Sequence, residues 1–233
     1  MKKLILLAAL AVTSGICSAQ VSFGFQAGAN IGLGKISSDL PISPSNDPKV
    51  GLLAGGLAEI PIGSKLAFRP ELNFIQKGSK SAFTTDKNDI TLNYIEVPLN
   101  VVYKLPLGTG NFFFGLGPSV AFGISGKNKY TDETDPTNNV TYDIKFDGKK
   151  ESEINNGNGD GKQHLKAFDF GANILAGYKL GMGVFFKLGY TYDFMNINPD
   201  TGLYNASYKN SGFNIVVGYL FSGSKPSKKS TGK

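Results

Sequence analysis

The feature that most constrains this chain is a strict alternation of apolar and polar residues through residues 166–195. Every second residue of 182–194 is apolar or aromatic, and the residues between them are mostly small or polar. The same pattern runs through 168–180, before a turn at Gly181–Gly183. A period of two predicts β-strands with one apolar face and one polar face.

The length of these runs indicates strands that cross a membrane. Strands in soluble sheets usually have about 5–6 residues, whereas a tilted strand needs about 9–11 residues to cross a bilayer. After the first 19 residues, no apolar run is long enough for a transmembrane helix. Because open strand edges cannot be satisfied in lipid, the chain must then close a β-barrel.

Eight segments of the chain alternate in this way. They are 21–33, 50–60, 65–77, 90–105, 111–124, 166–180, 182–194 and 212–221. The short connections are 61–64, 106–110 and 181–183, and the long polar ones are 34–49, 78–89, 125–165 and 196–211. This predicts an all-β fold: an eight-stranded antiparallel up-and-down transmembrane β-barrel with short periplasmic turns and long extracellular loops.

A soluble lipocalin-like barrel is the alternative, since alternation alone does not say which face is inside. The polar face carries glycine, lysine, aspartate and asparagine, which would make a poor core for a soluble barrel. Aromatic residues also gather toward segment ends, as in an interfacial girdle. They are Tyr103, Phe112, Tyr178, Tyr190, Tyr192 and Phe194. Both features favour the membrane barrel.

The first 19 residues are typical of a secretory signal peptide. Lys2 and Lys3 precede a short apolar run, and small residues lead to a cut expected after Ala19. We therefore expect three regions: a signal peptide at 1–19, an outer-membrane barrel at 20–221 and a basic disordered tail at 222–233. Two lysines in the signal and four in the tail account for the formal charge of +6. The charge gives no reason to expect nucleic acid as a partner.

Charged residues on the polar faces are predicted to point into the barrel. An eight-stranded barrel has room for packed side chains rather than an open channel. We therefore expect a salt-bridged plug, in which Arg69 contacts Glu59, Glu71 or Glu96. The predicted lumen charge network consists of Glu59, Arg69, Glu71, Glu96, Lys104, Asp169, Lys179, Lys187 and Asp193.

Neither catalysis nor a cofactor is expected. His164 is the only histidine, has no adjacent serine, and is interpreted as a solvated loop residue. Residues 156–161 (NGNGDG) are similar to a calcium loop, but Ala167 stands where the bidentate acid would be. We therefore predict no catalytic, cofactor-binding or metal residues. Cys17, the only cysteine, would leave with the signal peptide.

Three strings resemble a known family. They are FGFQAGANIG (23–32), LAFRPELNFIQKG (66–78) and YIEVPLNVVYKL (94–105). They resemble the outer-membrane β-barrel family common in Bacteroidetes, which includes PorT-like proteins. The resemblance implies an outer-membrane location and eight strands, with no established activity and no catalytic residue. The chain departs from the pattern in two ways: twelve residues follow Phe221, and prolines at 70, 98 and 118 lie within strands, where bulges or irregular pairing are expected.

The sequence therefore predicts a non-enzymatic outer-membrane protein with a structural or surface-interaction role. A narrow pore or secretion accessory is the main alternative, and a lipid-modifying enzyme is a further one. The expected partners are outer-membrane lipid, the barrel-assembly machinery during insertion, and an unidentified surface or periplasmic protein.

Overall fold

A computed structural model describes residues 21–37, 46–83, 86–150, 161–199 and 207–221. The expected signal peptide and the expected tail lie outside the described residues. Among the residues that are described, none forms a helix with the length and hydropathy needed to cross a bilayer.

The described chain is almost entirely β-strand, with one short 3-10 helix at Pro136–Asn138. The strands are β1 (Ser22–Gly32), β2 (Lys35–Ser37), β3 (Lys49–Pro61), β4 (Leu66–Phe83), β5 (Asp86–Leu107), β6 (Gly110–Asp132), β7 (Val140–Lys145), β8 (Gln163–His164), β9 (Phe168–Lys179), β10 (Val184–Asp193), β11 (Ser207–Lys209) and β12 (Ser211–Leu220).

Eight of these strands close a ring. β1, β3, β4, β5, β6, β9, β10 and β12 each pair antiparallel with the next, and the pairing of β12 with β1 closes the barrel. β1 and β12 pair from Gly24 with Leu220 to Gly32 with Gly212. The predicted fold is therefore confirmed, including all eight segments.

The wall has an apolar outer face and a polar inner face. In β10, Leu188 is 61% exposed on the outside, whereas the preceding Lys187 is only 5% exposed. β3 is ambiguous from its sequence, but pairing with β1 and β4 puts Leu53 and Leu57 inside and Leu52 outside. Exposed large apolar side chains on the outside form a band around the barrel, as a protein embedded in lipid requires.

The region expected to be a long loop at 78–89 is instead the end of a hairpin. β4 and β5 stay paired from Leu66 with Tyr103 to Phe83 with Asp86. The prediction of a loop was wrong because this part of the hairpin carries polar residues on both faces, including the buried Ser79 and Ser81, so it has no apolar alternation to reveal it. β6 continues in the same direction to Asp132 and pairs there with β7, so four strands form a sheet beyond the barrel.

Smaller elements cover the barrel mouth on the same side. β2 pairs with β11 through Ile36 and Tyr208, and β8 lies parallel to β7. The short turns lie at the opposite end, which we call the short-turn end. The long-loop end carries the extended sheet.

Pairing is irregular near the strand prolines, as expected. The β4–β5 ladder is interrupted between the pairs of Pro70 with Leu99 and Asn73 with Glu96. The register itself does not shift there. A bulge lies higher in the wall, where the β5–β6 register shifts between Asn93 and Tyr94.

Candidate functional site

The barrel lumen is filled by charged side chains in three layers that rise along β4. Arg69, Glu71 and Lys77 all point inward because they are an even number of residues apart. At about 3.3 Å per residue, the strand from Arg69 to Lys77 is about 26 Å long. Charges are therefore distributed along much of the barrel.

The lower layer, near the short-turn end, is centred on Glu59. Arg69 Nη2 donates to Glu59 Oε2, and Lys104 Nζ donates to Glu59 Oε1 at 3.0 Å. The Arg69 guanidinium also lies over the Phe113 ring, 4.4 Å from its centroid, and the Phe185 ring is 6.0 Å away. Arg69 is thus held by one carboxylate and by aromatic faces, which attract a desolvated cation.

The middle layer is centred on Glu71. Lys187 Nζ donates to both of its carboxylate oxygens, at 2.9 and 2.7 Å. Gln26 Nε2 donates to Glu71 Oε2 at 2.6 Å and to Asn73 Oδ1 at 2.8 Å. Each member of this layer is buried, so the layer spans the lumen between β1, β4 and β10.

The upper layer, toward the long-loop end, gathers three carboxylates around one ammonium. Lys77 Nζ lies 2.7 Å from both Glu96 Oε2 and Asp193 Oδ2. The contact with Glu96 is an ion pair without hydrogen-bond alignment, since no described residue forms a hydrogen bond with that oxygen. Asp169 lies beside Asp193 and accepts a hydrogen bond of 2.8 Å from Asn210 Nδ2.

Little space remains between the layers. A cavity of about 20 Å³ lies against Glu71, Glu96 and Lys187 in the described part of the lumen. A cavity of about 10–15 Å³ holds one water molecule. The interior is therefore packed, with room for single waters rather than a continuous column.

The nine residues of the predicted network all lie on the inner wall, and the structure distributes them over these layers. Seven are buried, and Lys104 and Lys179 are half-buried near the short-turn end. The network omitted Lys77, the only cation of the upper layer, although its even spacing from Arg69 on the same strand could have revealed it. It also omitted the neutral side chains of Gln26, Asn73 and Asn210, for which charge gives no signal.

A second feature is a cavity of about 270 Å³ at the long-loop rim. Its described lining includes Ile36, Ile90, His164, Ser207 and Tyr208. The expectation that His164 is a solvated loop residue is wrong. Its side chain is 3% exposed, because β8 is tucked against β7.

His164 forms a specific contact at this rim. Its Nδ1 atom lies 2.7 Å from Asp147 Oδ1. The hydrogen bond with His164 lowers the pKa of the Asp147 carboxyl. Burial raises the pKa of the nearby Tyr208 phenol to about 12, and that phenol contacts Ser79 Oγ at 3.3 Å.

The described residues contain no cluster of three or more histidine, cysteine or acidic side chains arranged to hold a metal ion. Residues 156–160 of the calcium-like loop lie outside the described residues. The expectation of no metal stays a prediction.

The sequence of this chain matches the family described as "Outer membrane protein beta-barrel domain" over residues 17–198. The chain belongs to this family. Its strand pattern, closed ring and apolar outer band are those of an outer-membrane barrel, and the outer membrane is its location. The family match ends before β12, the strand that closes the ring against β1.

Solved outer-membrane barrels are similar to it in structure. Neisserial surface protein A has 16% identity and a TM-score of 0.41, with 86% of this chain and 99% of that chain covered. OprG from Pseudomonas aeruginosa has 13% identity and a TM-score of 0.48, with 87% and 97% covered. Ail, the attachment invasion locus protein of Yersinia pestis, has 11% identity and a TM-score of 0.37, with 86% and 97% covered. No curated protein sequence matches this outer-membrane barrel.

Proposed function

We propose that this outer-membrane barrel is a non-enzymatic, non-conducting anchor that holds a sheet at the cell surface for interaction with another molecule. The observation that supports this most is the packed lumen. Ions would have to pass the ion pairs of Arg69, Lys187 and Lys77 in turn. Opening any of these layers would expose buried charges without partners, which costs several kcal/mol per layer, on the order of 3–5.

Planar-bilayer recording tests the absence of conduction. We expect no stepwise current from the purified protein, while an open porin inserted into the same bilayer serves as the positive control. Regular single-channel steps from the wild type, reduced by bulkier lumen substitutions such as Thr191→Phe, would instead support the narrow-pore alternative. Thr191 is chosen because its buried side chain lines the small lumen cavity.

The surface sheet of β4, β5, β6 and β7 supports an interaction role. These strands continue beyond the apolar band, and their pairing persists to Asp132. A rigid sheet presents side chains in fixed positions at low entropic cost, which favours recognition. Its partner is proposed to be an unidentified surface protein, whereas a periplasmic partner would have to meet the short-turn end.

A shortened hairpin tests that role. Deleting 80–89 and joining the strands by a two-residue turn leaves the barrel pairs below Ser79 intact. Cross-linking in native outer membranes should capture a partner with the wild type and lose it with the shortened variant. Equal capture by both proteins would remove the sheet from the interaction.

The export route is part of the same proposal. Residues 1–19 act as a cleaved signal peptide, the barrel-assembly machinery inserts the chain, and the kinship is with the PorT-like Bacteroidetes members of the family. N-terminal sequencing of protein purified from membranes should begin at Gln20. A sequence beginning at Met1 would contradict cleavage.

A hydrolase at the rim cavity is a second candidate. Asp147 orients His164, and Ser207 lines the same cavity, so three residue types of a hydrolytic triad are present. Labelling with a fluorophosphonate probe tests this. Labelling that disappears in Ser207→Ala and His164→Ala would support it, and the absence of labelling would leave the non-enzymatic proposal in place.

A further inference from the structure

A row of polar side chains crosses the outer wall of the barrel at one level. Gln76 on β4 pairs with Asn93 on β5, and Asn93 pairs with Ser125 on β6. Lys77 and Tyr94, the next residues along β4 and β5, are buried in the interior. Because side chains alternate along a strand, the row faces outward.

A β-bulge aligns the third member of the row. Tyr94 pairs with Gly123, but Asn93 pairs with Ser125, so β6 contains one extra residue between them. Ile124 and Ser125 consequently both lie on the outer face, where Ile124 is 54% exposed. Without the bulge, Ser125 would point into the barrel.

Hydrogen bonds fix the orientation of each amide in the row. The backbone N–H of Leu52 donates to Gln76 Oε1 at 3.2 Å, Gln76 Nε2 donates to Asn93 Oδ1 at 3.1 Å, and Asn93 Nδ2 donates to Ser125 Oγ at 2.9 Å. A backbone N–H can only donate, so the side-chain oxygen of Gln76 must face Leu52 N. The amino group of Gln76 then faces Asn93 Oδ1, and the amino group of Asn93 faces Ser125 Oγ. Each amide uses its oxygen within the row and keeps one spare N–H hydrogen, and Ser125 keeps its hydroxyl hydrogen.

The row borders a groove of about 390 Å³ that also includes Thr91, Lys127 and Asp143. Lys127 pairs with Asp143 across β6 and β7, and Lys145 is two residues further along the same face of β7. The groove lining itself holds one cation, Lys127, and one anion, Asp143. The groove therefore combines the spare donors of the row with the Lys127 ammonium.

An apolar surface lies immediately below this row. Phe74, Ile95 and Phe122 are paired neighbours on β4, β5 and β6 and face outward, and Phe122 is 52% exposed. A molecule that fills the groove from the membrane must therefore have an apolar part against these three residues. Its polar part must accept hydrogen bonds from the row.

We propose that this groove binds the phosphate-bearing head group of a lipid of the outer leaflet. The acyl chains lie along Phe74, Ile95 and Phe122. The phosphate oxygens accept hydrogen bonds from the row and form an ion pair with the Lys127 ammonium. A phosphate offers several strong hydrogen-bond acceptors and needs to donate none. This matches the amides of the row, whose oxygens already accept hydrogen bonds and whose spare N–H groups can only donate.

Native mass spectrometry of the full-length, delipidated protein in detergent tests this. The probes are a phosphorylated glycolipid and its dephosphorylated counterpart, added in equal amounts. We expect retention of the phosphorylated lipid, and loss of about tenfold in affinity in Lys127→Gln and Ser125→Ala, as for removal of a hydrogen bond to a charged group. Excess inorganic phosphate should not displace the lipid, because it lacks the chains that contact the apolar surface.

Lys129→Gln is the matched control, since Lys129 is also exposed on β6 but lies two residues beyond the groove. We expect it to bind as the wild type does. Equal loss in both lysine variants would show general charge attraction and overturn the site, as would equal retention of the two lipids. Each variant should change its gel mobility on boiling as the wild type does, which shows that the variant is folded.

Discussion

At the residue scale, Arg69 illustrates how the lumen stabilises itself. Its guanidinium is fully enclosed, bonded to Glu59 and placed over Phe113, while its Nε and Nη1 atoms have no hydrogen-bond partner among the described residues. Removing it would leave the buried Glu59 carboxylate with Lys104 as its remaining hydrogen-bonded cation among the described residues, and the Lys104 side chain is 21% exposed. The two cations of the lower layer are therefore unequal in their effect.

We expect Arg69→Ala to lower the free energy of unfolding by about 3–5 kcal/mol, as for other broken buried ion pairs. Lys104→Ala is the control and should cost less than about 1 kcal/mol, because its charge is partly solvated. Urea titration in lipid vesicles measures both. Pairing Arg69→Met with Glu59→Gln should cost less than the sum of the single changes. Equal costs for Arg69→Ala and Lys104→Ala would show that solvent reaches the lower layer freely.

On the outer face, Leu188 tests depth in the membrane. It pairs with Ile215 and Ala176 in the middle of the apolar band. Leu188→Arg should destabilise the protein by about 2–4 kcal/mol, whereas Thr91→Arg, above the band, should cost about 0–1 kcal/mol. Refolding both variants into vesicles gives the two values. If they are equal, the apolar band does not mark the bilayer.

At the scale of elements, the contact between Asp147 and His164 holds β8 against β7. The backbone reinforces it, since Gly148 N donates to Leu165 O at 3.0 Å and Leu165 N to Lys145 O at 2.8 Å. The folded-state pKa of Asp147 is lowered below 3.8 by His164, with a smaller contribution from Lys149. A carboxyl with a depressed pKa stabilises the fold above its unfolded pKa and loses that contribution as the pH falls through the folded value.

The rim should therefore stay closed at neutral pH, and its protection should fall progressively as the pH drops below about 4 and then through the lower folded-state pKa of Asp147. Hydrogen exchange at the Gly148 and Leu165 amides, corrected for intrinsic rates, reports the opening. Asp147→Asn should show weak protection at every pH. Wild-type protection that stays equal to that at pH 7 until the whole barrel unfolds in acid would mean that the carboxylate does not hold this element.

The strands were predictable from the sequence where one face meets lipid and the other meets packed charges. Alternation located all eight barrel segments, and counting by two gave nine charged residues of the inner face, although the network omitted Lys77. The upper part of β4 and β5 was not predictable in this way, because its buried face is also polar, as Ser79 and Ser81 show. The burial of His164 depends on a parallel pairing between β7 and β8. This pairing joins distant parts of the loop, and such short strands show no periodic pattern in the sequence. The three layers of the network depend on which strands face one another across the lumen.

At the scale of the whole molecule, closure of the ring leaves no free edge among the barrel strands. Every barrel strand has a partner on both sides. Such a structure resists detergent because no strand can peel away without breaking two ladders.

We therefore expect the folded protein to migrate as a compact species on a gel without boiling and to shift after boiling. A truncation that ends before Ser211 removes β12 and should abolish the shift. Identical mobility of the unheated and boiled wild type would contradict a closed barrel.

The pairing of β1 with β12 also governs how fast such a structure can form. Gly24 meets Leu220, so the contact that completes the ring joins residues almost at the two ends of the described chain. Contacts of such large sequence separation carry a high loop-closure entropy and slow the folding of β-proteins. Until they meet, β1 and β12 each expose a strand edge that can pair with other chains. The time between synthesis and closure is thus the interval in which this chain is most prone to aggregate through its two unpaired edges.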